Sequence, residues 1–310
     1  MLRICQSKKC PECDSVEIKR NGRRKGLQRY KCQKCKLQFQ SKKHPSRQRK
    51  KLWNQYVWGK QTFKQLSVTF KKCIPVIQKE LDAHVLEKNT VTPQPLILLA
   101  DVTFFGRGYG ILVFRSQLLK KNVYWKEITQ ETPAVYREAR IELEKQGFTI
   151  TGMVLDGKRG VREVFADIPV QMCQFHQTAI LKRYLTSRPK TKAGQELRAI
   201  GLALTILTEQ DFETVLKEWH ERWKDFIKEK TFASDGKHWN YTHRRMRSAY
   251  RSLNTNMPFL FTHQKYPELK MPNTTNSIDG FFGKTKTLLQ VHRGLTQERR
   301  YKVIQEIFRR

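Results

Sequence analysis

The sequence predicts an α/β protein: a mixed β-sheet with a helical insertion, preceded by a small cysteine-containing module and a helical module. Four cysteines are grouped near the start of the chain. Three short stretches with helical periodicity follow them. Apolar, strand-like segments then alternate with amphipathic helical segments, which is typical of an α/β domain. The 310 residues suffice for two or three domains.

The chain is strongly basic along its whole length. Lysine and arginine number 61 against 28 acidic residues, which gives a net charge of +33. A folded protein with this charge typically faces a polyanion; a ribosome-like role or association with a membrane surface are the alternatives. We see no apolar run long enough to span a bilayer, so we expect no membrane partner. We expect a cytoplasmic protein, associated with the nucleoid in a bacterial host.

Residues 1–45 contain two C-x-x-C pairs, "CPEC" at Cys10–Cys13 and "CQKC" at Cys32–Cys35. Their spacing is that of a structural Zn²⁺ site, because each pair places two thiolates on one tight turn and two turns complete a tetrahedron. The odd total of seven cysteines argues against a disulfide framework. We predict a zinc ribbon whose hairpin turns at Asn21-Gly22. Four reduced thiols in a loop are the alternative, but a module this small needs a staple to fold.

Residues 46–92 contain three short helical stretches on a basic background, which predicts a helix-turn-helix. Thr62 is placed to cap the second helix, and Pro75 falls in the first turn of the third, where proline is tolerated. A three-helix bundle that binds nothing is the alternative. Behind a zinc ribbon, DNA binding is the favoured interpretation. The predicted DNA contacts of these two modules are Arg23, Arg24, Lys25, Arg29, Lys71, Lys72, Gln78 and Lys79.

Residues 93–185 follow the order of three strands, a helix, a strand, a helix, a strand and a helix. This is the order of the ribonuclease-H-like fold, in whose mixed sheet the first and fourth strands are neighbours. The first strand, "LILLADVTFFG", leads to Asp101, and the fourth, "FTITGMVLDGKRG", ends in Asp156. We therefore expect the two carboxylates to lie close together in space.

Two adjacent carboxylates repel each other unless a divalent cation lies between them. Their oxygen atoms suit Mg²⁺ or Mn²⁺, and a site of this kind can hold two ions for phosphodiester cleavage. Asp156-Gly157 also has the composition of a turn, and Asp101 could bond a backbone group, so a structural role is the alternative for either acid alone. The metal site is favoured because both acids follow buried strands and the protein is strongly basic.

Residues 186–270 have mostly helical periodicity and predict an insertion into the core. One face of its last helix carries Arg244, Arg247 and Arg251, which could contact phosphates; a solvated basic face is the alternative.

Residues 271–310 are predicted to return to the core. Asp279 lies near the start of their first helix and can supply a third ligand to the metal site. Neither Lys284 nor Lys286 lies four residues from Asp279, so a simple helical salt bridge does not explain the acid. Together with Arg293, these lysines are predicted to face DNA.

The succession of these modules resembles the DDE transposases of bacterial insertion sequences, in particular the zinc-ribbon variant of their Mutator-type branch. The motifs that carry the resemblance are "LLADVTFFG", "GMVLDGKRG", "MCQFHQTAILKRYL" and "NTTNSIDGFFGKTKTLLQVHRG". The third motif is similar to the C-x-x-H signature of that branch, which is formed here by Cys173 and His176.

The resemblance implies that Asp101, Asp156 and Asp279 hold catalytic Mg²⁺ or Mn²⁺. It implies nicking at the ends of a transposable element and attack of the freed 3′-hydroxyls on target DNA, by in-line phosphoryl transfer. The implied partner is double-stranded DNA. Because two element ends must be held together, we expect a homodimer or larger assembly. The chain departs from the family at Asp279, where glutamate is usual.

Cys173 and His176 could be half of a zinc site, but no second pair lies beside them in the sequence. We predict that they support the active site by packing or hydrogen bonding. A histidine satisfied within the core is the alternative for His176.

Two other functions compete with transposition. A non-catalytic, transposase-derived DNA-binding regulator would not need three acidic positions. A ribonuclease-H-like nuclease or resolvase would not need two DNA-reading modules before its catalytic domain.

Overall fold

The computed structural model describes residues 8–24, 27–40, 45–87, 91–234, 236–292 and 294–309. The chain divides into two compact units. One comprises Met1–Leu86 and Leu288–Val303, and the other comprises Glu87–Thr287 and Ile304–Arg310.

The first unit begins with a small antiparallel sheet of β1 (Ile18–Arg24), β2 (Leu27–Cys32) and β3 (Gln38–Gln40). The predicted turn at Asn21-Gly22 is wrong. Both residues lie inside β1, and pairing with β2 continues as far as Arg24 and Leu27. The register of the pair shifts between Arg20 and Arg23, and Gly22 has a φ of 65°. The glycine thus accommodates an irregularity within the strand, because it tolerates a positive φ without steric cost.

Three helices follow the sheet: α1 (Pro45–Val57), α2 (Phe63–Phe70) and α3 (Ile74–Asp82). The predicted N-cap Thr62 is confirmed, since its hydroxyl accepts the N–H of Gln65 and its own N–H donates to the Gln65 Oε1 at 2.8 Å. This reciprocal capping box satisfies two amide groups that a helix start leaves open. Pro75 lies in the first turn of α3, as predicted.

The last helix of the chain contributes to the same unit. Arg299 donates two hydrogen bonds of 2.8 Å to the carboxylate of Asp82, and the Nζ of Lys302 donates to the carbonyls of Leu81 and Asp82. The ring of His292 lies against Tyr56, with 4.1 Å between the centroids. Residues far apart in sequence therefore complete the packing of the helical module.

The second unit is built on a mixed sheet in the order β6-β5-β4-β7-β8. The strands β4, β5 and β6 pair antiparallel, whereas β7 pairs parallel with β4 and β8 pairs parallel with β7. The first and fourth strands of this unit are thus neighbours, as the sequence predicts. The strands are β4 (Pro95–Phe104), β5 (Gly110–Ser116), β6 (Lys121–Ile128), β7 (Thr149–Leu155) and β8 (Val170–Met172).

Two apolar cores stabilise this unit, one on the sheet and one within the helical insertion. Trp219 is 2% exposed and belongs to the second core. The helices of this unit are α4 (Pro133–Lys145), α5 (Gln174–Leu185), α6 (Lys192–Leu202), α7 (Glu209–Trp223), α8 (Arg244–Leu260) and α9 (Thr262–Lys265). The residues of α10 (Asn276–Val291) and α11 (Gln297–Phe308) are divided between the two units.

The insertion is mostly helical, as predicted, and a hairpin of β9 (Lys230–Phe232) and β10 (Trp239–Tyr241) lies between two of its helices. The predicted secondary structure is wrong at one place in this unit. The segment "PVQMCQFH", which is the last strand of the predicted order, is a strand only as far as Met172, because α5 begins directly after Cys173. His176 is therefore on the first turn of a helix, on the same side as the N-cap Cys173.

None of the helices in the described part of the chain combines the length and apolar character needed to cross a membrane.

Candidate active site and zinc site

Asp101 lies in β4 where its pairing with β7 stops. Parallel pairing extends to Leu99 and Val154, whereas antiparallel pairing with β5 continues from Asp101 to Phe104. The side chain is 9% exposed, and its Oδ1 accepts the N–H of Val102 at 2.7 Å. β4 thus continues for three residues beyond Asp101, where the sequence predicts its end. The carboxylate of Asp101 still lies where the parallel pairing of β4 with β7 stops.

Asp156 directly follows β7, the parallel neighbour of β4. Its Oδ1 accepts the N–H of Lys158 at 2.9 Å, which is the turn-forming role that the sequence left open. The negative charge of Asp156 acts on Asp101 and contributes to raising the pKa of that acid. Asp156 therefore lies near Asp101 and also shapes its own turn.

Asp279 lies in the first turn of α10 and converges with Asp101 and His176. One possible ligand atom of each of these three residues lies within 4.8 Å of the other two. Asp156 does not belong to this group among the described residues. The Oδ2 of Asp279 is buried and has no hydrogen-bond partner among the described residues. An unsatisfied carboxylate oxygen next to a second carboxylate fits a cation ligand.

The electrostatics of this group are strongly perturbed. Burial raises the pKa of Asp101 to about 7, and the nearby carboxylates of Asp156 and Asp279 raise it further. The pKa of His176 is raised to about 9, first by hydrogen bonding with Cys173 and then by the charges of Asp101 and Asp279. His176 is therefore protonated at neutral pH and partly offsets the negative charge. A titratable cluster of this kind is typical of a functional site.

Cys173 and Gln174 connect the start of α5 to the loop before α10. The Sγ of Cys173 accepts hydrogen bonds from the N–H of Thr275 at 3.2 Å and from its hydroxyl at 3.3 Å. The N–H of Gln174 donates to the carbonyl of Asn273, and the Nδ2 of Asn273 donates to the Gln174 Oε1, both at 2.9 Å. These contacts immediately precede the turn that carries Asp279, and so they fix its position relative to α5.

The same threonine also orients His176. The Oγ1 of Thr275 lies 3.4 Å from the Nδ1 of His176, and Thr275 is completely buried. A partner on Nδ1 defines the orientation of the ring and leaves Nε2 for other interactions. Burial alone would raise the pKa of the Cys173 thiol, but hydrogen bonding from His176 and Thr275 holds it below its ordinary value.

Thr275→Val is expected to weaken the affinity for divalent cations about 10-fold. Its contact with Cys173 holds the turn that carries Asp279, and groups that orient metal ligands typically contribute 10- to 100-fold. The substitution keeps the shape of the side chain but removes the hydroxyl that contacts Cys173 and His176. Thr275→Ser keeps the hydroxyl and is the matched control. The measurement is the dissociation constant of Mn²⁺ by isothermal titration calorimetry, with thermal unfolding in parallel. Equal metal dependence of both variants would contradict the orienting role.

A cavity of about 540 Å³ lies beside the acidic group, and Asp156 and His176 both contribute to its wall. Lys158 and Arg183 line it as well, and Lys158 forms a 2.9 Å ion pair with Glu131. The cavity therefore combines acids that suit a cation with basic groups that suit a phosphate.

The four cysteines predicted to bind zinc lie together in the first unit. The sulfur atoms of Cys10 and Cys35 are 3.4 Å apart, those of Cys13 and Cys32 are 3.6 Å apart, and all four lie within 4.8 Å of one another. A Zn–S bond of about 2.3 Å places the sulfurs of a tetrahedral site about 3.8 Å apart, so the donor set fits zinc. The thiols also share protons: a hydrogen bond from the backbone of Cys35 is the first cause that lowers the pKa of Cys32, whereas burial and side-chain hydrogen bonds with the other three cysteines raise the pKa of Cys35.

The predicted DNA contacts of the first unit differ in accessibility. Arg23, Arg24, Lys71 and Lys79 are exposed, whereas Arg29 and Gln78 are half-buried. Lys72 forms a 2.6 Å ion pair with Glu80 and is therefore partly engaged within the protein. Lys25 lies outside the described residues.

The predicted contacts in the second unit also fall into two groups. Arg244, Arg251, Lys284 and Lys286 are exposed. Arg247 instead donates to the carbonyl of Ile227 at 3.1 Å, and its guanidinium lies 3.6 Å from the centre of the Tyr241 ring. Arg293 lies outside the described residues.

Sequence reasoning missed Gln174, Asn273 and Thr275. The polar run "NTTN" before α10 was a signal of a loop with hydrogen-bonding side chains, but nothing local identified their partners. Those partners lie about 100 positions earlier in the chain, as with Thr275 and Cys173 at a separation of 102.

No protein-family model and no curated protein sequence matches the chain. Among solved structures, the chain is similar to the simian T-cell lymphotropic virus intasome in complex with the PP2A regulatory subunit B56 gamma. The sequence identity is 8%, the match covers 66% of this chain and 68% of that chain, and the TM-score is 0.21. A similarity at this TM-score does not indicate a shared fold.

Proposed function

We propose that this protein is a DDE-type transposase that binds the ends of an insertion sequence, cleaves the DNA and joins the freed 3′-hydroxyl to target DNA. One observation best supports the proposal. Asp101 and Asp279 come from distant parts of the chain and lie close together, and Asp156 follows the strand that is paired with the strand of Asp101. The sheet order and the parallel pairing of β4 with β7 support a ribonuclease-H-like core as part of the same proposal.

The residues of the acidic group fit a divalent cation. Asp101 and Asp279 present carboxylate oxygens close together, and the buried Oδ2 of Asp279 has no hydrogen-bond partner among the described residues. Such oxygens suit Mg²⁺ or Mn²⁺, with Asp156 nearby as a further acid. When bound, the cation would activate water and stabilise the leaving oxygen in phosphodiester cleavage.

The protein's own basic groups would bind and orient the scissile phosphate. His176, Lys158 and Arg183 line the cavity beside Asp156. His176 carries a proton at neutral pH because its pKa is raised to about 9. A phosphate placed in the cavity would receive charge-assisted hydrogen bonds from these groups while facing the acids.

DNA binding in this proposal depends on the basic surface and on the two N-terminal modules. The net charge of +33 favours a polyanion, and the exposed arginines and lysines of the cysteine module and of α2 and α3 provide phosphate contacts. A homodimer or larger assembly would hold the two element ends together. In this proposal the zinc ribbon and the helix-turn-helix bind the element end, and the second unit cleaves it.

The test uses the purified full chain, a labelled duplex that carries the element end with its flanking DNA, and a target plasmid. With Mg²⁺ or Mn²⁺ we expect a nick at the element boundary on a denaturing gel, followed by a product joined to the plasmid. Binding of the duplex without any cut under either ion would favour a DNA-binding regulator. Cutting without joining would favour a nuclease or resolvase.

A further inference from the structure

A basic cleft of about 610 Å³ lies within the helical insertion. Its walls come from the segment between α5 and α6, from the β9–β10 hairpin and from the first turn of α8. The volume is in the range of small-molecule binding clefts, about 300–1,000 Å³. It is large enough for a short segment of a flexible polymer.

The charge that lines this cleft is uniformly positive. Arg188, Lys190, Arg244 and Arg245 contribute to the walls, and all four are exposed. The described lining residues include no carboxylate. Arg244 and Arg245 also occupy the first turn of α8, where the helix dipole favours acids. Mutual repulsion of these cations would be relieved by phosphate groups, so the cleft favours a polyanion.

The hairpin beside the cleft carries exposed aromatic rings. Phe232 and Trp239 are directly paired across β9 and β10, so they share one face. They are 59% and 42% exposed, respectively. The Nζ of Lys230 lies 3.8 Å from the centre of the Trp239 ring. Exposed rings accompanied by cations are the arrangement on which nucleic-acid bases stack.

The opposite face of the hairpin supplies polar groups to the cleft. Thr231 and Asn240 alternate with the aromatic residues along their strands and contribute to the cleft wall. The Thr231 hydroxyl lies 2.8 Å from that of Thr242, and the amide of Asn240 can hydrogen-bond to sugars and base edges. Tyr241 shares the face of Trp239, with 5.1 Å between the ring centroids, and also lines the cleft, so the aromatic face adjoins the cleft.

We infer that the cleft and the aromatic face of the hairpin bind single-stranded nucleic acid, with phosphates in the cleft and bases against Phe232 and Trp239. Duplex DNA can offer phosphates to the cleft, but its bases are stacked inside the helix and cannot reach the two rings. An unpaired strand can use both faces. This binding requires no divalent cation and is independent of the transposase activity proposed above.

The test is fluorescence anisotropy of a labelled 12-nucleotide single strand, and of the corresponding duplex, with the full-length protein and without added Mg²⁺. Arg244→Ala/Arg245→Ala is compared with the charge-matched control Lys145→Ala/Lys217→Ala, whose lysines are exposed on α4 and α7. We expect the cleft variant to bind the single strand about 10-fold more weakly, because it loses phosphate contacts. The control variant should change both affinities by less than about 2-fold.

A second comparison isolates the stacking contribution. Trp239→Ala is expected to weaken single-strand binding between about 5- and 100-fold, as for loss of one base–aromatic stack, while Trp239→Tyr keeps a ring and restores binding. The affinity for duplex DNA should be the same for the two Trp239 variants. Wild-type single-strand binding by the arginine variant, or by Trp239→Ala, would overturn the inference. If the wild-type protein binds the single strand but does not cleave the element end, that result would count against the proposed function alone.

Discussion

Asp279→Asn is expected to reduce metal-dependent cleavage of the element end by at least about 10³-fold, because charge stabilisation by a bound metal ion is worth several kcal/mol. The substitution preserves size but removes the negative charge from the residue whose Oδ2 is buried without a partner among the described residues. The measurement is the single-turnover cleavage rate under Mg²⁺ and under Mn²⁺. Duplex affinity should be unchanged, since the substitution leaves the N-terminal modules intact.

Two controls accompany this variant. Glu213→Gln removes one negative charge at an exposed position of α7 and should cleave like the wild type. Asp279→Glu restores the residue that is usual in the resembled family and should retain cleavage above the asparagine variant. Wild-type cleavage by Asp279→Asn would remove Asp279 from the proposed metal site and leave Asp101 and Asp156 as its candidate acids.

Cys10→Ser is expected to abolish zinc binding and unfold the N-terminal module. A structural zinc site contributes about 10 kcal/mol or more to folding, and a small module has little apolar core to compensate. The buried core of this module consists of Cys10, Ile18, Tyr30 and Cys32, so two of its four members are the proposed ligands themselves. Zinc content by mass spectrometry and limited proteolysis of residues 8–40 measure the two effects.

The matched control for this prediction is Cys73→Ser. Cys73 is exposed at the start of α3, makes no side-chain capping bond and does not belong to the four-cysteine group. It should retain the zinc content and protease resistance of the wild type. Full zinc content in Cys10→Ser would show that the four cysteines do not form one site. End recognition should weaken in Cys10→Ser, and the catalytic unit should keep its thermal transition.

Local patterns in the sequence predicted much of the fold. The C-x-x-C spacing identified the four cysteines, and the structure brings their sulfurs together. The cap at Thr62 and the position of Pro75 in the first turn of α3 were also predicted, because helix starts depend on a few adjacent residues. Continuous apolar runs identified β4 and β7, and the order of elements indicated that they would be neighbours.

Local patterns were misleading where tertiary contacts override propensity. Asn21-Gly22 has the composition of a turn, but strand pairing continues through it. The β9–β10 hairpin was not predicted, because the periodicity of the insertion on either side of it is helical. The C-x-x-H motif was expected in a strand, yet α5 begins within it and turns His176 toward the acids.

By itself, therefore, the sequence determined the cysteine set, the main strands and the acids at Asp101 and Asp156, since each depends on spacing or on periodicity within a short window. The sequence also predicted Asp279 as a third ligand, but only the tertiary structure decided that it is grouped with Asp101 and His176, and that Thr275 holds Cys173. These contacts join residues about 100 or more positions apart. Their geometry depends on how whole helices pack, which no local pattern encodes.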